Sequence, residues 1–223
     1  MPIKVLKTKN WVSDGVTTSE LDFLSDVVAT QKVKNKIKRD VGDLLVEHTL
    51  DALSSATTPV AGAPFQKTLS KEYKKRKSDA GLGSKANLEF SGSMTENITY
   101  KQTDTGIEIG VFKNKDAAKA DGHNNFSGQS KLPQRKFLPQ EGDQYKPNIK
   151  QQIDDIIFEH IALDTNIPKQ ELKSVEDSAD FWNVMQTAFG ELSKPDIRRA
   201  VTQNPMWIDF LSANGLLRFL GTK

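Results

Sequence analysis

The apolar positions Val33, Ile37, Val41, Leu44, Leu45 and Ala52 recur at helical spacing, with His48 on the same face. Ahead of them, Thr17-x-x-Glu20 has the form of a capping box, in which hydroxyl and carboxylate each satisfy a terminal backbone N–H. Together they predict one long helix from about Ser19 to about Ser55. Lys32, Lys34, Lys36, Lys38 and Arg39 fall mostly off the apolar stripe and read as a solvated face. Pro59 and Pro64 then force extended geometry on their predecessors and predict a loop. Residues 67–85 carry Lys67, Lys71, Lys74, Lys75, Arg76, Lys77 and Lys85 against Glu72 and Asp79, which predicts a flexible basic loop.

Leu88, Met94 and Ile98 mark a short structured passage, with Ser91-Gly92 turning into a single helical turn. Alternating runs over Ile98–Gln102 and Ile107–Val111 flank an Asp/Gly loop and predict a β-hairpin that buries Ile98, Tyr100, Ile107, Ile109 and Val111. A polar, Gly/Asn-rich stretch covers 113–130. The segment Lys131–Pro139, bracketed by prolines, reads as an edge strand or a docked strap. Pro147 opens a second strong helix, with Ile149, Ile153, Ile156, Ile157 and Ile161 on one face and Asp154, Asp155 and Glu159 on the other. Shorter helices are predicted over Pro168–Val175, Ser178–Phe189 and Ser193–Gln203, the last capped by Ser193-x-x-Asp196. An apolar tail follows, with Trp207, Phe210, Leu211 and Phe219 among its residues.

Composition narrows the chemistry. In 223 residues, 31 Lys+Arg stand against 29 Asp+Glu, a net charge of +2, which excludes histone-like binding through bulk charge. No apolar run reaches the roughly 20 residues that span a bilayer, and the basic N-terminus, broken by Pro2, lacks a signal-peptide core, so no membrane partner is expected. The absence of cysteine removes disulfides, thiolate zinc sites and cysteine nucleophiles. His48, His123 and His160 are too scattered for a soft-metal site. The Walker, dinucleotide, zincin and nucleophile-elbow motifs are all missing. His123, in Asp121-Gly-His-Asn-Asn, reads as a backbone hydrogen-bonder, and the neighbours Asp154 and Asp155 diverge too far around a helix to work as a dyad. No catalytic, cofactor-binding or metal-binding residue is expected.

An ordered set of short motifs remains: Tyr73-Lys-Lys-Arg76-Lys77; Leu88-x-x-Ser91-Gly92-x-Met94; the hairpin; Ala120-x-x-His123-x-x-Phe126-x-Gly128; and Leu132-Pro133-x-Arg135-x-Phe137-Leu138. This order resembles the bacteriophage virion morphogenesis, or tail completion, family, in which a Ser/Thr-Gly-x-Leu turn, a His-x-x-Gly loop and a Pro-x-Arg-x-Phe-Leu strand follow one another. The resemblance covers about Ser19 to Ala162, and the Pro133–Leu138 motif is its most specific part. It implies an α+β domain, a small antiparallel sheet with the long helix and the second amphipathic helix packed on it. That domain would span 1–162, with a helical C-terminal extension over 163–223.

The resemblance further implies a non-enzymatic virion protein, assembled in the host cytoplasm into a homo-oligomeric ring, hexameric or dodecameric, at the head–tail junction or tail end. Its partners would be copies of itself, neighbouring tail-tube, tail or head-connector proteins, and genomic DNA passing through the lumen. Arg135 can pair bidentately with a carboxylate while Phe137 and Leu138 anchor the strap, either for a neighbouring subunit or to close their own core. Trp182, Trp207, Phe210 and Phe219 carry enough apolar area to dock on a partner, or to form a satellite bundle within the protomer. Lys74, Lys75, Arg76 and Lys77 would face the lumen or an acidic ring. The alternative function is a sequence-nonspecific nucleic-acid-binding module acting through residues 32–39 and 67–85.

Overall fold

The computed structural model describes every residue except 1–2, 26, 28, 89–91, 126–132, 165–174, 190–191, 204–206, 209–210, 213–214 and 222–223, and except the side chains of 158, 161–164 and 188. The fold is α+β, and the chain forms two compact units, Met1–Ser25 with Lys38–Ile153, and Asp26–Ile37 with Asp154–Lys223.

The first unit is built on an antiparallel sheet in the order β1-β2-β4-β3, from β1 (Lys4–Lys9), β2 (Thr17–Asp22), β3 (Ile98–Gln102) and β4 (Gly106–Val111). The β1–β2 return passes through the short helix α1 (Trp11–Asp14), capped by the Asn10 side chain and closed by Gly15 at φ 68°. The expected capping box at Thr17 is therefore a strand. Its hydroxyls are spent on tertiary partners: Thr17 Oγ1 donates to the Ala117 carbonyl (2.8 Å), Thr18 Oγ1 to Glu108 (2.6 Å) and Ser19 Oγ to the Pro139 carbonyl (2.5 Å). Thr17, Thr18 and Ser19 are all buried, so the two-residue alternation that would betray a strand is missing.

The long helix α2 (Gln31–Ser54) consequently starts nine residues after β2 ends at Asp22, about three helical turns later than the predicted start near Ser19. Val33, Ile37, Val41 and Leu45 are buried as their spacing requires, and Leu53 joins them, whereas Leu44 and Ala52 are half-buried. Gly42 lies at a crossing: a Cβ there would sit 2.4 Å from the Tyr100 ring, whose hydroxyl donates to the Arg39 carbonyl (3.1 Å) and to Asp43 (3.0 Å). That close approach explains a glycine inside a helix, where it otherwise costs about 0.5–1 kcal/mol. The hairpin β3–β4 forms as expected, with Ile98, Ile107, Ile109 and Val111 buried and Tyr100 half-buried beside α2. Gly110, at φ 150°, lets β4 approach β2, since a Cβ would meet the Thr17 carbonyl oxygen at 2.2 Å.

Residues 67–85, expected as a flexible loop, contain instead the helix α3 (Lys71–Asp79). Ser70 supplies the N-cap, accepting from Tyr73 N–H (3.1 Å), and Arg76 and Lys77 sit favourably in the last turn. Basic composition outweighed these local signals in the sequence. A further helix, α4 (Asn114–Asn124), occupies the stretch that looked merely polar, and it buries Ala117, Ala120 and Asn124. The strap runs over this helix. It is bridged to the preceding loop through Phe65 and Arg135, with Gln66 N–H donating to Gln134 (3.0 Å) and Lys136 N–H to Pro64 (3.0 Å). The helix α5 (Pro147–Asp164) starts at its proline and buries Ile149, Ile153 and Ile157. His48 meets Gln152 at 2.6 Å between α2 and α5.

The second unit has its own core. α6 (Ser178–Phe189), α7 (Lys194–Thr202) and α8 (Leu217–Leu220) gather Phe181, Trp182, Met185, Phe189, Trp207 and Phe219. Phe181 meets Trp182 edge-on at 5.3 Å and Phe219 at 5.6 Å, and Phe189 meets Trp207 at 6.1 Å. Ser193 caps α7 by accepting from Asp196 N–H, as its spacing predicts. Phe210 and the expected helix over 168–174 lie outside the described residues. No helix among the described residues is long and apolar enough to cross a membrane.

Candidate binding site

The motif residues, far apart in sequence, converge on one cavity of about 690 Å³ in the first unit. One side comes from the cap and first turns of α3, with Leu69, Ser70, Tyr73 and Lys77. A second comes from the segment after α3, with Lys85, Ala86, Leu88, Gly92 and Met94. The remainder comes from α4, with Lys119 and His123, and from the strap, with Pro133 and Arg135.

Arg135 is the hub of the site. It is 3 % exposed, yet its partners are neutral: Nε donates to the Gln66 carbonyl (2.8 Å), Nη2 to the Thr68 carbonyl (3.0 Å), and Nη1 lies 3.4 Å from His123 Nδ1. Its backbone N–H donates to the His123 carbonyl (2.9 Å), so helix end and strap are tied at one residue. Burial pushes the guanidinium pKa down, but an arginine stays protonated. Burial, and after it the charge of Arg135, holds His123 below the ordinary imidazole range, so at neutral pH its ring is uncharged.

Two other buried polar groups shape the walls. Lys77, 1 % exposed, donates to the Lys85 carbonyl (2.8 Å) and to the Asn87 side chain, which draws the chain after α3 back onto the helix. Asp116, at the start of α4, accepts from Ser93 (2.7 Å), Asn97 (2.9 Å) and Lys119 (3.1 Å). The Ser93 hydrogen bond, followed by Lys119, holds its carboxyl below the usual range. Asn124 fixes the strap: its Oδ1 accepts from both Phe137 N–H (2.9 Å) and Leu138 N–H (2.7 Å), and all three residues are buried.

The structure thus corrects several sequence expectations. Arg135 pairs with backbone carbonyls and not with a carboxylate, because the strap docks with its arginine turned inward. Phe137 and Leu138 are fully buried in their own unit, and Trp182, Trp207 and Phe219 are buried in theirs, so these five close cores and leave little surface to offer a neighbour. Lys77 is buried, whereas Lys74, Lys75 and Arg76 are exposed on α3. The sequence marks Lys85 only as one of a run of basic residues and does not mark Asn124 as part of the site. Nothing in composition distinguishes Asn124 from the asparagines beside it, and the four-residue step from Tyr73 to Lys77 was the available sign that both share one face of a helix.

Chemically the site is a recess with cationic edges and an apolar wall. Among the described residues no group of three or more His, Asp or Glu side chains is placed to hold a metal ion. Comparisons with protein-family models, curated proteins and solved structures find no match to this chain.

Proposed function

We propose that the chain is a non-enzymatic structural protein of a bacteriophage virion, closing into a hexameric or dodecameric ring at the head–tail junction or tail end. The observation that supports this reading best is the convergence just described. The residues carrying the resemblance, from Tyr73 and Gly92 to His123 and Arg135, meet at one corner, where Arg135 fastens loop, helix and strap together. Such a corner suits a protein whose task is to hold shape under load.

A ring needs two different complementary surfaces on each protomer. With the strap, Trp182 and Trp207 buried, the contact falls to the outer edge of β1 and to α1. Leu6, the residue bulged out between Val5 and Lys7, is 49 % exposed, and Trp11 and Val12 are 39 % and 81 % exposed. Trp11 is nonetheless held, its N–H donating to Asp121 and its indole to Asn114. An exposed sheet edge flanked by ordered apolar side chains is a surface suited to pairing with a neighbouring chain. Lys74, Lys75 and Arg76 on α3 remain the candidates to face DNA in the lumen or an acidic neighbour.

A free-standing DNA-binding module is the weaker reading. Two of the cations it leans on, Lys38 and Lys77, are buried and donate to the Thr103 and Lys85 carbonyls. Mass spectrometry of purified virions from the phage that encodes the chain tests the proposal: the protein is expected as a stoichiometric component at about six or twelve copies per particle. Its absence from intact virions would overturn the assignment.

A further inference from the structure

The described lining of the cavity is unbalanced in charge. Lys77, Lys85, Lys119 and Arg135 line it, and no carboxylate does among the described residues. Lys119 is engaged with Asp116, and Lys85 is exposed at the rim. Arg135 offers five N–H donors, of which one goes to each of two carbonyls and one faces His123. Among the described residues its charge is therefore buried on neutral partners, with two N–H groups that none of them engages. Removing a charge from water is costly, and a partner of opposite sign recovers much of that cost.

The same lining holds apolar side chains, Leu69, Leu88, Met94 and Pro133. An occupant must bring an anion and hydrocarbon together. Duplex DNA or free phosphate supplies the first without the second. Thr68 and Leu69 also line the cavity outside helix and strand, and no hydrogen bond within the chain engages their N–H groups among the described residues. These are donors that a peptide backbone can use and that a simple fatty acid would leave largely unmatched.

We infer that this cavity is a docking site for an extended acidic–aliphatic peptide segment of a partner protein, its carboxylate against Arg135 and Lys85 and its aliphatic side chain against Leu69, Leu88 and Met94. The volume lies within the range of sites that enclose small ligands, which corresponds to a few residues of peptide. The inference stands apart from the ring reading: a monomer could hold the peptide, and a ring could lack it.

The test uses the full chain and a fluorescently labelled hexapeptide alternating leucine and glutamate, followed by anisotropy. The leucine–lysine hexapeptide, octanoate and inorganic phosphate serve as competitors. Saturable binding of the acidic peptide is expected, with none of the basic one, and with His123 ring resonances shifting on titration. Lys85→Glu, at an exposed position that leaves the fold intact, should weaken binding at least tenfold, whereas Lys75→Glu, on α3 but outside the cavity, should change it less than twofold. Arg135→Lys should also weaken binding, and circular dichroism verifies its fold. Failure of the acidic peptide to bind, equal binding of the basic peptide, indifference to Lys85→Glu, or displacement by octanoate or phosphate as effectively as by unlabelled peptide would overturn the inference.

Discussion

At the scale of single residues, the side chains that matter most hold backbone to backbone. Asn124 is the clearest case. One buried amide oxygen serves two consecutive strap N–H groups, at 2.9 and 2.7 Å. Asn124→Ala would leave both donors buried and unmatched, and each such loss costs about 1–3 kcal/mol. We expect destabilisation of roughly 2–4 kcal/mol, read as a lowered urea midpoint with an unchanged slope. A change below about 0.5 kcal/mol would show that the strap does not depend on this residue. Arg135 was conspicuous in the sequence, but its partners were not. A guanidinium donates to carboxylate and carbonyl oxygens alike, and only the docked loop decides that Gln66 and Thr68 supply them.

Among the elements, those with a strong period were legible and those defined by tertiary contact were not. The β3–β4 hairpin, α5, α6 and α7 follow from alternation, a leading proline and a Ser–Asp cap. By contrast β2 imitated a helix start, because Thr and Ser suit both a cap and a buried strand, and the partners of their hydroxyls lie about a hundred residues away. α3 was hidden by its charge: a sequence as basic as Lys71–Asp79 forms a stable helix only once Ser70 caps it and Lys77 is anchored on Asn87. β1 lacks a clean alternation because a bulge displaces Leu6.

The crossing of α2 and β3 gives an element-level prediction. Gly42→Ala would improve intrinsic helix propensity by up to about 1 kcal/mol, yet it drives a methyl group into the Tyr100 ring, which is fixed at its far end by Arg39 and Asp43. Overpacking of this kind costs about 1–3 kcal/mol. The variant should therefore melt lower than the parent. In a Tyr100→Ala background the same substitution should be neutral or stabilising, so the two changes are strongly coupled. Simple additivity would contradict the close approach.

For the whole molecule, the fold class was readable from elements in order, whereas the site was not. Motifs at residues 73–77, 88–94, 120–128 and 132–138 are four short strings in the sequence, and only the fold brings residues from each of them around one recess. The large aromatic residues of the C-terminal region looked equally suited to an interface and to a bundle. Packing decides for the bundle, with Trp182, Trp207 and Phe219 at 4 %, 9 % and 9 % exposure. In the proposed ring, that leaves the β1 edge and α1 as the candidate contact, the region where Leu6, Trp11 and Val12 leave apolar surface in water.

The central claim is that copies close into a ring through that edge, and native mass spectrometry of the purified full chain tests it most directly. The account predicts a dominant species of six or twelve times 24.8 kDa, reduced to monomer by Val12→Glu, a substitution at a surface position that leaves the monomer's circular dichroism unchanged. A single 24.8 kDa species at every concentration, or an assembly that Val12→Glu leaves intact, would contradict it.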